Sequence, residues 1–319
     1  MAKKASTEHK DVYQMVTDRI IAQMEQGIVP WRKPWSTKGT ANPEEMAISH
    51  ESGKPYSLLN QFLVGRPGEY LTFGQIQKAG GRIKKGEKSR FIVFWRRLVV
   101  GSDDTDGTVE APEEVGGVKV IPYLKYYNVW HIDQCEGIEP RWANYAERLE
   151  TQSPNPEAAA EAVVEGYLAQ PSHPNLVKKL SDKAYYQPST DTVVVPKMCQ
   201  YRSPAEYYST LFHELGHSTG HKDRLNRKGI TEGGFFGSHE YSKEELVAEI
   251  TAAMLLSQCG IEVEGTFNNS VSYLQSWIRA LQNDKKMIVW AAGKAEAATK
   301  WILGIRQEQE AQDAAAEAA

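Results

Sequence analysis

The stretch LFHELGHSTGH holds His213, Glu214 and His217 in the order His-Glu-x-x-His. Residues four apart on a helix stand on one face about 5–6 Å from each other, so the two imidazoles can converge on one divalent cation. Glu214 can then reach a water that the cation makes acidic and take its proton as general base. The chemistry encoded is metal-assisted hydrolysis of an amide. Chance can also place this pattern on a helix, leaving two histidines and a solvated glutamate with no ligand role. A hydrolytic site of this kind needs a third protein ligand and one open position. His221 does not suit, because eight residues separate it from His213, about 12 Å along a continuous helix. A histidine at position 223 would complete another ligand set, and Asp223 stands there. The better source is YSKEELVAEITAAMLL, where Glu244, Glu245 and Glu249 ride a second helix. Glu245 is expected as the third ligand. Glu249, one turn on, is expected to accept the free N–H of a metal-bound imidazole. An alternative stays open: Ser242 and Glu245 also form an S-x-x-E pair that would merely cap the helix, leaving Glu249 as reserve ligand. Zn2+ is the expected ion, although two histidines and a glutamate also accept Mn2+, Co2+ or Ni2+.

The elements that must position these groups have their own signals. Ser203, Pro204 and Glu206 read as a capping box with proline at the first helical position. Tyr207, Leu211 and Leu215, with Tyr208 and Phe212, form a buried stripe from which the histidines fall away. Before this helix, KAYYQPSTDTVVVP reads as a hairpin or edge strand, and TDTVVVP is expected as an edge against which an extended peptide pairs. His239 and Tyr241, between the two metal-bearing helices, are candidate oxyanion donors. In the first half, Val12, Met15, Val16, Ile20 and Met24 predict an amphipathic helix stopped at Gly27. The segment RFIVFWRRLVV and the later VKVIPYLKYYNVWHI predict two strands of an antiparallel sheet. The fold class is therefore α+β, with a seam where Pro154 and Pro156 interrupt two helical patterns. The expected organisation is residues 1–152, a mostly helical 153–305, and an Ala/Glu-rich tail 306–319.

Composition limits the function classes. With 41% hydrophobic and 24% charged residues, the 319-residue chain can bury two cores and is not a disordered or collagen-like chain. No apolar run reaches the ~20 residues needed to span a bilayer, so no membrane partner and a soluble, cytoplasmic protein are expected. Cys135, Cys199 and Cys259, widely spaced with no CxxC pair, read as reduced thiols. The formal net charge of −4 conceals a basic region: Lys54 to Arg97 carries ten basic residues against two acidic ones. The acidic, breaker-rich stretch from Gly101 to Gly117 reads as a loop. Trp31, Trp35, Tyr56, Phe73 and Trp95 lie among Arg32, Lys33, Lys84, Lys85, Lys88, Arg90, Arg96 and Arg97. Single-stranded nucleic acid is held by that combination, cations tracking phosphates and aromatic faces stacking bases. The competing reading makes the aromatics core and the lysines a solvated loop.

Both halves resemble the ArdC-type antirestriction proteins of conjugative plasmids. The likeness is carried by VTDRIIAQMEQGIVPWRKPW, GKPYSLLNQFLV, YLTFGQIQKAGGRIKKGEKSRFIVFWRR and LKYYNVWHIDQCEGIE in the first half. In the second half it is carried by TLFHELGHSTGHKDRLNR and EELVAEITAAMLL. The last is also similar to the E-x-x-A helix that supplies the glutamate ligand in related zincins, matching Glu245 and Ala248. The resemblance implies a single-stranded-DNA-binding domain joined to a zincin-like metallopeptidase domain, protecting incoming DNA from host restriction. Two alternatives accompany it: a DNA-associated protease acting on a restriction enzyme or another DNA-bound protein, and a DNA-binding protein whose metal is only structural. One departure stands after GKPY, where Ser57, Leu58, Leu59 and Asn60 replace an arginine-containing RGxN pattern, so no arginine contact carries over there.

Overall fold

Asp11 opens the first helix by accepting the Gln14 N–H at 3.2 Å, and the apolar residues that follow at helical spacing give that helix one buried face. In the computed structural model the described residues are 11–32, 46–99, 108–109, 113–115, 118–142, 155–233, 239–261 and 271–305. By packing they fall into two units, one within Met1–Pro30, Ala41–Leu149 and Leu274–Val289, the other within Trp31–Thr40, Glu150–Tyr273 and Trp290–Ala319. Trp35 and Lys33 lie outside the described residues, as does the tail from residue 306. The architecture mixes helices and sheets as expected.

The first unit contains helix α1 (Val12–Glu25), strand β1 (Ala47–Ser49), α2 (Leu58–Val64), β2 (Gly68–Thr72), α3 (Phe73–Lys78), β3 (Arg82–Ile83) and β4 (Arg90–Val99). Then come β5 (Thr108–Val109), β6 (Glu113–Val115), β7 (Val118–His131) and β8 (Cys135–Glu136). The main sheet runs β1-β2-β7-β4, with β5 and β6 also on β7. β1 and β2 are parallel and the other pairs antiparallel. Part of the acidic stretch expected as loop is therefore strand, because β7 is long enough to leave backbone groups for β5 and β6 to pair with. α2 is buried on all sides, and Asn60 within it exchanges two hydrogen bonds with the Val93 backbone, at 2.9 and 2.8 Å, closing the outer edge of β4.

The second unit contains α4 (Pro156–Leu168), β9 (Asn175–Lys179), β10 (Tyr185–Gln187), β11 (Thr192–Pro196), α5 (Pro204–Ser218) and α6 (His239–Gln258). Of α7 (Val271–Asn283) and α8 (Met287–Ile302), Val271–Tyr273 and Trp290–Ile302 belong here. The stripe of α5, Tyr207, Tyr208, Leu211, Phe212 and Leu215, packs on Val193 and Val195 of β11 and on Ala252, Leu255 and Leu256 of α6. Burying each such Leu or Phe contributes roughly 1.5–3 kcal/mol. The three-stranded sheet runs β10-β11-β9. TDTVVVP is thus the middle strand, not the edge expected from its pattern: β9, parallel to it, covers its second side. Among the described residues β10 and β9 are the edges of this sheet, and β10 lies beside α5.

Candidate metal centre and nucleic-acid surface

α5 begins where Ser203 Oγ accepts the Glu206 N–H at 3.2 Å, half of the expected capping box. The other half is absent, because the Glu206 carboxylate turns to the Arg202 N–H, also at 3.2 Å. From this start the helix runs without interruption through His213 and His217. α6 is under way by His239, three residues before Ser242, so the S-x-x-E pair does not mark its beginning and Glu245 is not a cap. The two helices meet where neither has bulk. A Cβ on Gly216 would sit 3.2 Å from Ala248 Cα, so the glycine inside the motif lets α6 approach closely.

That approach brings three donors together. His213 and His217 present their Nε2 atoms 3.1 Å apart, and Glu245 places one oxygen 3.5 Å from His213 Nε2 and the other 3.4 Å from His217 Nε2. All three ligand atoms lie within 4.8 Å of one another. Ligands bound to zinc at 2.0–2.1 Å in a tetrahedron are about 3.3 Å apart, so the donor set fits such an ion. The His213 and Glu245 side chains keep about a quarter of their surface exposed, which leaves the site accessible from one side. His221 takes no part; its Nδ1 accepts the Asp223 N–H at 3.3 Å.

Glu249, expected to accept from the imidazole, does not face His217; the carboxylate nearest its Nδ1 is that of Glu244, with no hydrogen bond formed between them. His217 Nδ1 faces Glu244 Oε1 at 3.5 Å, and Glu244 is buried and gripped by Arg227, whose Nε donates to Oε2 at 2.9 Å and whose Nη2 donates to Oε1 at 2.5 Å. Arg227 also donates to the Gly216 carbonyl at 2.9 Å and the Thr219 hydroxyl at 2.7 Å, tying the end of α5 to α6. Glu249, a full turn past Glu245, points away and accepts the Trp31 indole N–H at 2.9 Å and the Tyr273 hydroxyl. The reason is angular: Glu244 precedes the ligand by one residue and turns toward His217, whereas Glu249 follows the helix face onto other partners. A second ion pair, buried Arg224 with partly exposed Asp191, fixes the loop after α5, with Arg224 Nε donating to the Ser218 carbonyl at 2.7 Å.

The charges around the imidazoles favour a cation. Burial opposes ionisation of Glu245, but hydrogen bonds to His213 and His217 hold its carboxyl far below the usual range. Burial would lower His217, yet Glu244, Glu245 and Glu214 together push it up to about 10. Glu214 is shifted upward, chiefly by burial, and it accepts a backbone N–H from Tyr186 on β10. Burial, with Glu245 and Glu214 nearby, pushes the Tyr241 phenol up to about 12, and its hydroxyl is bonded to Glu245. His239 stands beside Glu240 at 3.5 Å.

The residues expected to hold nucleic acid are not one surface. Trp31 is 2% exposed and committed to Glu249, so its ring is not open to a base. Tyr56 packs on the sheet core against Tyr70, ring centroids 6.1 Å apart. Arg90 donates to the Val64 carbonyl at the end of α2, a structural duty at a helix terminus. Phe73 is 52% exposed, 6.3 Å from the Trp130 ring. Lys84, Lys85 and Lys88 are exposed, Lys84 reaching the Asp133 carbonyl at 2.7 Å. Trp95 and Arg96 are adjacent in β4 and so lie on opposite faces; Trp95 leans on Tyr13, and Arg96 lies 6.0 Å over the Tyr127 ring. The side chains of Arg32 and Arg97 are outside the described residues.

Comparison with known proteins bears on both units. Residues 164–294 match the family model of a zincin-like metallopeptidase, and residues 10–130 that of the N-terminal domain of the anti-restriction factor ArdC. The metal-free crystal structure of antirestriction ArdC protein from plasmid R388 is 32% identical, covers 92% of this chain and 97% of that one, and superposes with a TM-score of 0.64. Its Mn(II)-bound structure gives 31% identity, 93% and 98% coverage, and a TM-score of 0.65. A DNA primase TraC of Escherichia coli is 32% identical over 94% of this chain, which spans 28% of that protein's length. An uncharacterised protein of Sinorhizobium fredii, y4eC, is 29% identical over 92% of this chain and 91% of its own length.

Proposed function

The chain belongs to the ArdC-type antirestriction family, and from that membership we propose that it protects incoming plasmid DNA in the recipient cytoplasm. In this reading the first unit holds unpaired DNA and the second presents a hydrolytic metal site. The observation that carries the second part is the convergence of His213, His217 and Glu245 at separations of 3.1–3.5 Å, with Glu214 buried beside them. These three residues would hold a divalent ion, zinc by donor type or manganese as in the R388 relative. A bound ion supplies Lewis acidity that polarises a carbonyl and makes water acidic. Glu214, its pKa raised by burial, is suited to take and return a proton. Glu244, held by Arg227, faces His217 Nδ1 and leaves Nε2 for the ion. β10 offers an open edge next to Glu214 on which an extended peptide can pair.

A purely structural metal is the weaker alternative, since Gly216 against Ala248 and Arg227 on Glu244 already join the two helices, and the donors are partly exposed. For DNA, support comes from exposed Lys84, Lys85 and Lys88 and from exposed Phe73, all within the basic stretch Lys54 to Arg97. The deciding experiment is plasmid transfer into a restricting host with wild type, Glu214→Ala and a Lys84/Lys85/Lys88→Glu variant. Loss of protection only in the lysine variant assigns protection to DNA binding. Loss in Glu214→Ala as well assigns it to hydrolysis of a DNA-bound protein, and full protection by both variants overturns the proposal.

A further inference from the structure

Opposite residues of an antiparallel pair share a face, and the β4–β7 register sets Phe94 across from Lys125, Ile92 across from Tyr127 and Arg96 across from Tyr123. One face of the sheet therefore carries Phe94, Arg96, Lys125 and Tyr127, set between the buried Ile92 and Tyr123. Phe94 is 40% exposed, a large apolar ring that the fold does not use for its core. Its ring meets that of Tyr127 at 6.0 Å and 66°, and the Arg96 guanidinium lies 6.0 Å from the Tyr127 centroid while its Nε donates to the Tyr127 hydroxyl at 3.2 Å. Tyr127 is thereby fixed in orientation between a ring and a cation. Arg90–Arg96 and Tyr123–Asn128 hold three cations and no Asp or Glu.

We propose that this face, with Phe94 as its open ring and Tyr127, Arg96 and Lys125 around it, is where unpaired bases of a single-stranded polynucleotide stack. The inference deepens the DNA-holding reading of the first unit and rests on it. Charge complementarity selects the partner: cations at the ring margins suit phosphates on either side of a stacked base, and the π-faces accept any base that is not already paired. A duplex keeps its bases inside the stack and cannot reach Phe94. Lys84, Lys85 and Lys88 would serve the backbone elsewhere, so bases and phosphates are read by separable groups.

The test uses the full chain and two labelled oligonucleotides of equal length, oligo-dT and its abasic counterpart, titrated by fluorescence anisotropy. Wild type is expected to prefer oligo-dT. Phe94→Ala should weaken oligo-dT by about 5- to 150-fold, the range carried by one stacked base, and leave abasic binding unchanged. Phe94→Tyr should restore the preference, and thermal melting of both variants checks the fold. Lys84/Lys85/Lys88→Glu should weaken both oligonucleotides alike. A 2-aminopurine probe should be quenched by wild type and not by Phe94→Ala. If wild type binds both oligonucleotides equally, or Phe94→Ala keeps the dT preference and the quenching, the stacking face is refuted while DNA holding stands. If wild type binds neither, the DNA-holding reading itself has failed.

Discussion

Glu245 and Glu249 sit one turn apart on α6, and their surroundings give them different duties. Glu245 meets both imidazoles, and its replacement by alanine is expected to abolish stoichiometric metal uptake, measured by isothermal titration. Glu249→Ala should leave metal uptake intact and lower stability by about 1–3 kcal/mol in chemical denaturation, because the Trp31 indole N–H loses its buried acceptor. Sequence spacing named Glu249 as the acid behind the imidazole, whereas Glu244 faces it, since Glu244, Glu245 and Glu249 differ in direction only once the helix is docked. The Asp191–Arg224 pair carries a pH dependence. Burial opposes its charge, but Arg224 and Tyr186 hold the Asp191 carboxyl below its ordinary value of 3.8. The stabilisation is thus complete above that ordinary value and is lost as pH falls through the lowered one. Thermal melts from pH 5 downward should show a steeper acid decline for wild type than for Asp191→Asn; equal slopes would refute the linkage.

At the scale of elements, the site depends on how closely α5 and α6 pack. Gly216→Leu would force bulk against Ala248 Cα and push Glu245 away from the histidines, so metal affinity should collapse while the helical circular-dichroism signal persists. Arg227→Met leaves Glu244 buried without its cation, a change that typically costs about 3–5 kcal/mol. It should also weaken metal binding by about 10- to 100-fold through the loosened imidazole, and rescue by Arg227→Lys should be partial. The motif helix was legible from Ser203, Pro204 and its apolar stripe. The edge strand was not: the apolar run Val193–Val195 does not record how many neighbours pair with it, and only the parallel pairing of Asn175–Lys179 makes it central.

Across the whole molecule, the first unit should bind single-stranded DNA with a salt dependence set by the phosphates it neutralises. Each contributes about −0.7 to the slope of log affinity against log salt, so four to six contacts give roughly −3 to −4. Reversing Lys84, Lys85 and Lys88 should flatten that slope, and a flat response in wild type would exclude the phosphate contacts altogether. The bare sequence determined the α+β class, the helix bearing His213 and His217, and the family, because local spacing and apolar periodicity carry that information. Only the tertiary structure decided that Trp31 is buried on Glu249, that Arg90 caps a helix and that Glu244 backs His217. Those outcomes turn on contacts between segments far apart in the chain, where the direction of a side chain depends on how whole elements dock and no local pattern records it.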